Sequence, residues 1–180
     1  MTNQEVNYPQ IIFKSPLCIG IGGVSRSGKT FLANLLQSVI TDSVVIHQDT
    51  FIPAESEIPA INGHTDWERP EAIDWEKLKA AIDTAIQSGK TVIVEGLFAF
   101  NHKDINIFYN KSVFIKLSKK EFVRRKRLDL RWGAEPDWYI LHIWRSHKIH
   151  GLLPSSMSEC LILKGEEDFD LDMVLNFFKK

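Results

Sequence analysis

Eight consecutive residues, Gly23-Val24-Ser25-Arg26-Ser27-Gly28-Lys29-Thr30, fill every fixed position of the phosphate-binding pattern G-x-x-x-x-G-K-[ST]. Glycines at its two ends let the backbone wrap so that its N–H groups point at an anion. Lys29 has the reach to meet β- and γ-phosphates, and the Thr30 hydroxyl is suited to Mg²⁺. Gly23, Ser25, Ser27, Gly28, Lys29 and Thr30 are therefore expected to hold the phosphates of a nucleoside triphosphate. Two carboxylates stand out beside the loop. Asp49 directly follows the apolar run Val44-Val45-Ile46, and Glu95 closes the run Thr91-Val92-Ile93-Val94. An ionised group ending an apolar strand is costly without a partner. For Glu95 that partner is a hydrated Mg²⁺, reached through water, or a neighbouring Lys or Arg. For Asp49 a helix cap, a Mg²⁺ role and a general base all fit its position. A basic run, Arg124-Arg125-Lys126-Arg127, is a local concentration in a chain whose formal net charge is −1. Helical geometry cannot point all four the same way: Arg124 and Arg127 are i, i+3 neighbours and Arg125 faces elsewhere.

These groups need elements to position them. Leu17 to Ile21 reads as a buried strand that ends at the loop. Phe31, Leu32, Leu35, Leu36 and Ile40 then fall at helical spacing, so a helix N-terminus points at the phosphates. Further strands are expected at Ser43–His47, Thr91–Glu95, Val113–Leu117 and Cys160–Leu163. Helices are expected from Trp75 to Ser88-Gly89, from about Lys119 to Leu130, from Asp137 to His150 and from Leu171 to Phe178. A long connection from Gln48 to about Pro70 carries no such pattern, and loops of that length are usually functional. The alternation predicts an α/β fold, a parallel sheet flanked by helices of the phosphate-loop NTPase type. Ligands in such folds sit at the C-terminal ends of the strands, where the loop, Asp49 and Glu95 all fall.

The chain has 180 residues, 44% hydrophobic and 25% charged, which suits one globular domain. Its near-neutral balance points neither to a nucleic acid nor to a membrane surface. No segment reaches the length needed to span a bilayer, and the polar Met1–Gln10 does not resemble a signal peptide. Residues 1–16 are expected to be a lead-in. Two cysteines, Cys18 and Cys160, each lie in an apolar run and read as reduced core thiols, consistent with a cytoplasmic protein. His142, His147 and His150 have no metal-site spacing and no nearby cysteine. A signalling GTPase is excluded by the absence of N-K-x-D and of D-x-x-G. A chain this small is expected to work as a monomer or weak homodimer on a small-molecule partner.

The chain resembles the nicotinamide riboside kinase branch of the uridine kinase-like family. The matching segments run in order from the loop through Gln48-Asp49-Thr50-Phe51, Trp67-Glu68, Glu71-Ala72-Ile73 and Ile93 to Asn101. The basic run and Leu163-Lys164-Gly165-Glu166-Glu167-Asp168, like the turn beside the adenine, complete the series. The resemblance implies an ATP- and Mg²⁺-dependent nucleoside kinase, with a small helical lid over about residues 119–135. It places the catalytic base at Asp49, so Asp49 and Lys29 are the candidate catalytic pair. Arg124 or Arg125 would serve the triphosphate, and Arg127 the substrate ribose. Glu68 would accept from the ribose hydroxyls, although this branch commonly has aspartate there. Trp67 would stack on the base, with Trp132 as the second wall and Trp138 as the alternative. Indole is the best side-chain face for a cation such as the nicotinamide pyridinium. Trp75 and Trp144 read as core.

Uridine or cytidine phosphorylation is the alternative activity. Uridine kinases carry an extra segment before the Glu95-type strand, whereas here Gln87-Ser88-Gly89-Lys90 runs straight into Thr91. A catalytically silent nucleotide-binding module is the alternative of another class, and the presence of both Asp49 and Glu95 speaks against it.

Overall fold

The computed structural model describes residues 10–131, 133–157 and 159–179. In chain order its elements begin with strand β1 (Cys18–Gly23), helix α1 (Lys29–Val39) and strand β2 (Ser43–His47). A short hairpin, β3 (Ala60–Ile61) and β4 (His64–Thr65), precedes α2 (Trp75–Gln87), β5 (Thr91–Gly96) and the single turn α3 (Lys103–Asn106). The chain continues through β6 (Lys111–Lys116), α4 (Lys119–Arg127), α5 (Asp137–His150), β7 (Cys160–Lys164) and α6 (Leu171–Phe178).

Five strands form one parallel sheet in the order β2-β5-β1-β6-β7. Alternation along each strand sends side chains to opposite faces. Ile19 and Ile21 of β1, Ile93 of β5 and Val113 and Ile115 of β6 pack on α1 and α6, against Leu32, Leu36, Val174 and Phe178. Cys18, Val92 and Val94 face the other way, onto Leu78 and Ile82 of α2 and Ile105 of α3. Both faces are covered, which is why the strands read as nearly continuous apolar runs. A third cluster joins α4 and α5 to the C-terminal ends of β1 and β6: Phe122, fully buried, meets Val24, Leu117, Ile140, Ile143 and Trp144.

The five main strands fall where the sequence pattern puts them, and the ends of α5 and α6 coincide with expectation. The basic helix stops at Arg127 rather than Leu130. The connection after Gln48 is more ordered than its composition suggests. It holds 3-10 turns at Gln48–Thr50, Glu55–Glu57 and Pro70–Ala72 besides the hairpin. Asn62 and Gly63 at the hairpin tip have φ of 48° and 77°, the positive values a two-residue I′ turn requires. The strands are only two residues long, too short for an alternating pattern to show. Trp75 packs against the α2 core with His102 stacked 4.8 Å away, and Trp144 lies against Phe122, so both are core residues. Among the described residues no helix is long and apolar enough to cross a membrane.

Candidate active site

The sheet register brings the chemistry together. Ile21 of β1 is paired with Glu95 of β5, and Glu95 with His47 of β2, so three strands end side by side where the phosphate loop begins. Gly23 has φ 150°, and a Cβ there would stand 2.5 Å from the Ile115 carbonyl and 2.8 Å from Ser27 Oγ. Gly28 has φ 105°, a left-handed value that opens α1 without a side-chain penalty. Only glycine fits either position. The Ser27 hydroxyl is fully enclosed and has no hydrogen-bond partner among the described residues. An unpaired buried hydroxyl inside a turn of inward N–H groups suits an anion. Ser25 is half-buried on the same loop.

Lys29 is the centre of the site. Its ammonium is buried and donates to the Val24 carbonyl at 3.0 Å. Burial pulls its pKa down, and Glu95, Glu68 and Asp49 work against that shift. Those three carboxylates come from three separate segments. Glu95 is buried, accepts the Thr30 hydroxyl at 3.0 Å and meets His47 Nδ1 at 2.8 Å. Its neighbour across the sheet is a histidine rather than a lysine or arginine, and the same Oε1 also serves Thr30. Asp49 lies in the turn just after β2, exposed, with its charge felt by both Lys29 and Arg131. The preceding Gln48 is buried, and its Oε1 accepts the Phe98 N–H at 2.9 Å, which ties the turn to the end of β5. The hydroxyl of Thr30 beside the carboxylate of Glu95 is a pair of hard oxygen donors at the mouth of a phosphate loop, a set that fits Mg²⁺.

Beside the phosphate loop lies a cleft of about 700 Å³. Arg26, Lys29, Arg124, Arg125 and Arg131 make it basic, and Phe31 and Phe169 supply an aromatic end with ring centroids 6.2 Å apart. Gly165, Glu167 and Asp168 of the turn after β7 also line it. That turn is fastened to α4: Glu166 accepts the Ser118 N–H at 2.7 Å, and Arg125 donates to the Gly165 carbonyl at 2.7 Å. Arg125 also donates to the Arg26 carbonyl at 3.1 Å and to Glu121 at 2.6 Å, so its guanidinium is fixed against the loop. Arg124 is exposed and held only by Glu121. Buried Asp129 pairs with Arg131 at 2.8 Å and Arg26 at 3.7 Å, which holds its carboxyl well below the usual carboxylate range.

A second group of polar and aromatic residues lies where the loop after β4 meets α4 and α5. Asp66 is buried, accepts the Glu68 N–H at 3.2 Å and meets His142 Nε2 at 2.7 Å. The Ser146 hydroxyl donates to the Glu68 carbonyl, so α5 holds this strip of loop. Burial pushes the Glu68 carboxyl up to about 7, with Glu135 and Asp66 adding to the shift while Lys126 and Lys29 oppose it. Trp67 is 41% exposed, a large aromatic face left open to solvent. Trp138 packs on His64 of the hairpin at 5.5 Å and on Tyr139 at 5.4 Å. Trp132 lies outside the described residues. The structure does not bring Arg127 to this group: it turns outward to Asp137 at 3.0 Å, both side chains exposed. Lys126 turns inward instead, because the helix places it on the opposite side from Arg124 and Arg127.

The sequence reading quoted Lys126 only within the basic run, Phe31 only in the pattern of the first helix and His142 only as lacking metal-site spacing, and it did not name Arg131, Asp129, Glu135, Tyr139 or Phe169. These last five are joined to the site by packing between segments far apart in sequence, and no local pattern marks them.

No protein-family model matches the chain. Nicotinamide riboside kinase 1 of Mus musculus is 32% identical over 171 residues, which cover 83% of this chain and 88% of that protein. Nicotinamide riboside kinase 1 of Homo sapiens is 32% identical over 143 residues, covering 70% and 72%. Among solved structures, a sugar kinase from a Janibacter species superposes with a TM-score of 0.59 at 15% identity, covering 91% of this chain and 94% of that one. A possible uridine kinase from Bacillus stearothermophilus gives 0.53 at 18%, covering 85% and 91%. These two likenesses share the fold: a parallel sheet with helices on both faces and a phosphate loop after its first strand. With a third of its residues shared along most of both chains, the protein belongs to the nicotinamide riboside kinase family.

Proposed function

We propose that this protein transfers the γ-phosphoryl group of ATP to the 5′-hydroxyl of nicotinamide riboside, giving nicotinamide mononucleotide and ADP. The observation that carries this reading is the phosphate loop itself, with buried Lys29 inside it, the Thr30–Glu95 pair at its mouth and a basic cleft beside it. ATP would lie in the cleft with its phosphates on the loop and its base toward Phe31 and Phe169. Arg125, fixed against the loop, and exposed Arg124, on leaving Glu121, would neutralise the triphosphate. Thr30 would hold Mg²⁺ directly and Glu95 would hold it through water. When bound, Mg²⁺ supplies charge neutralisation across the β- and γ-phosphates.

In the step itself the 5′-oxygen forms a bond to the γ-phosphorus as the bond to the β–γ bridging oxygen breaks. ADP carries away the electron pair, and the hydroxyl proton passes to the Asp49 carboxylate. Lys29 stays on the phosphates through the transfer. Little covalent work falls to the protein, so positioning and charge stabilisation dominate. Glu68 accepts from the ribose hydroxyls. Trp67 offers its face to the cationic pyridinium, with Trp138 or Trp132 opposite. The segment from 119 to 135 acts as the lid over the phosphates. Cys18 and Cys160 are free thiols pushed by burial up to about 12 and about 11, which fits a cytoplasmic setting.

The test is ADP release by the purified protein with Mg²⁺-ATP and nicotinamide riboside, uridine or cytidine offered in parallel. Turnover with nicotinamide riboside well above both pyrimidines is expected. Preference for a pyrimidine would replace the acceptor, and nucleotide binding with no turnover on any of the three would favour a silent module. Asp49→Asn is expected to keep ATP binding and lose turnover by about 10²-fold or more.

A further inference from the structure

Helix α5 carries two sets of side chains at helical spacing. Ile140 and Ile143, three residues apart, belong to the buried cluster that also holds Val24 of the phosphate loop and Phe122 of α4. His142 and Ser146, four residues apart, share another face, and both reach the segment from Asp66 to Glu68. Asp66 is 3% exposed, and its Oδ1 meets His142 Nε2 at 2.7 Å while accepting the Glu68 N–H at 3.2 Å. That oxygen already accepts from the backbone, so the hydrogen of the shorter bond sits on the histidine. Ser146 donates to the Glu68 carbonyl, and the Asp66 N–H donates to the Pro59 carbonyl at 2.7 Å. Trp67 lies between these anchors. Its N–H donates to the Thr65 carbonyl at 3.2 Å, and its side chain is left open to solvent. The backbone on either side of the indole is tied down while the ring stays accessible.

A buried carboxylate is costly without a partner. The contact of Asp66 with the Glu68 N–H shapes the turn, but it says nothing of where the turn lies. The contact with His142, 76 residues along the chain, fixes that place. Since α5 packs its other face into the cluster around Val24, one helix joins the strip bearing Trp67 and Glu68 to the phosphate loop.

We propose that His142 is a positioning residue of the acceptor site: its bond to Asp66 clasps the Trp67–Glu68 strip to α5 and so sets the distance between the bound nucleoside and the phosphate loop. The proposal rests on the reading of Trp67 and Glu68 as the nucleoside contacts. Group transfer is sensitive to that distance, and a misplacement of about 1 Å costs on the order of 10²-fold in rate. Without the clasp the strip loosens, and the nucleoside is held less well and less often in line with the γ-phosphate. The ATP cleft keeps its shape, because no residue of this strip lines it. A merely structural His142 would lower stability without separating the two substrates.

The test compares the full chain with its His142→Ala and His142→Gln variants and with the double variant Asp66→Asn/His142→Ala. Glutamine can place its amide nitrogen where the histidine Nε2 stands, so it restores the bond without the ring. The double variant removes the clasp and leaves no buried carboxylate unpaired, and it takes the place of His142→Ala if that variant does not fold. Amide hydrogen exchange at Glu68 in the ligand-free protein reads the clasp and needs no turnover. Initial rates read the two substrates separately. In His142→Ala the Glu68 amide should exchange about tenfold faster or more. The kcat/KM for nicotinamide riboside should fall roughly 10- to 100-fold, with the ATP KM in place. His142→Gln should recover most of both losses. Unchanged exchange, equal rises in both KM values, or a glutamine that restores nothing would overturn the proposal. Faster exchange with an unchanged nucleoside kcat/KM, or with no nucleoside phosphorylated at all, would keep the clasp and remove Trp67 and Glu68 from the acceptor site.

Discussion

Replacing Glu68 with glutamine keeps the side-chain shape and removes the charge, and it is expected to stabilise the protein while impairing it. In the folded chain burial lifts the Glu68 carboxyl to about 7 from an ordinary 4.5. A raised carboxyl means that the folded state holds its proton more tightly than the unfolded state does. Glu68 therefore costs nothing extra below the ordinary value, where both states are protonated. The cost grows as the pH rises through the interval and is complete above the folded value. A displacement of this size corresponds to about 3 kcal/mol. Glutamine does not ionise, so the stability gap between variant and wild type should widen in favour of the variant by about 3 kcal/mol from pH 4 to pH 8. For a chain of 180 residues that is a relative gain of roughly 8 °C in Tm. Urea unfolding at the two pH values measures it directly. The same variant loses hydrogen bonds between ribose hydroxyls and a charged acceptor, worth about 1.5–3 kcal/mol, so the nucleoside KM should rise about 10- to 100-fold. The ATP KM should stay in place. A gap that does not change with pH would show that the carboxyl is not desolvated. Equal rises in both KM values would remove Glu68 from the acceptor site.

Arg125→Ala should raise the ATP KM about tenfold and lower stability by about 1–3 kcal/mol, because its guanidinium is shared among Glu121, Arg26 and Gly165. Arg124→Ala, exposed and held only by Glu121, should change stability by less than about 1 kcal/mol, and equal destabilisation in urea would contradict this contrast. Phe31→Ala should weaken ATP binding roughly 5- to 100-fold through lost base stacking and leave inorganic tripolyphosphate binding unchanged, as read by calorimetry. Parallel losses for both ligands would place the base elsewhere. Burial brings His147 down to about 4, so its neutral form is favoured in the folded state. Its contribution is complete above about pH 6.5 and is lost as the pH falls toward 4, by about 3 kcal/mol in total. His147→Gln should flatten this part of the urea stability profile, and an unchanged slope would refute it.

The phosphate loop was legible because its chemistry is local. Backbone N–H groups, two glycines and one lysine must be contiguous to wrap an anion, so the pattern survives in eight residues. Strands β1, β2 and β5 were legible because a sheet buried on both faces leaves apolar runs with abrupt ends. Asp49 and Glu95 stood out as the charges at those ends. The acceptor side did not show itself in this way. The loop carrying Asp66 and Glu68 is held by His142 and Ser146 of α5, and Lys126 of α4 pairs with Glu135 of the connection after it, contacts that only packing brings together.

The basic run shows the division most clearly. Sequence dictated a helix with four adjacent cations and, from its 3.6-residue period, that they could not share one direction. It could not say which would face inward, because that depends on where Phe122 meets the α5 core. Docking Phe122 against Trp144 turned Lys126 into the interior, sent Arg127 out to Asp137 and laid Arg125 against the phosphate loop. A helix sequence fixes the angles between its side chains, but its rotation about its own axis is chosen by the surface it packs on.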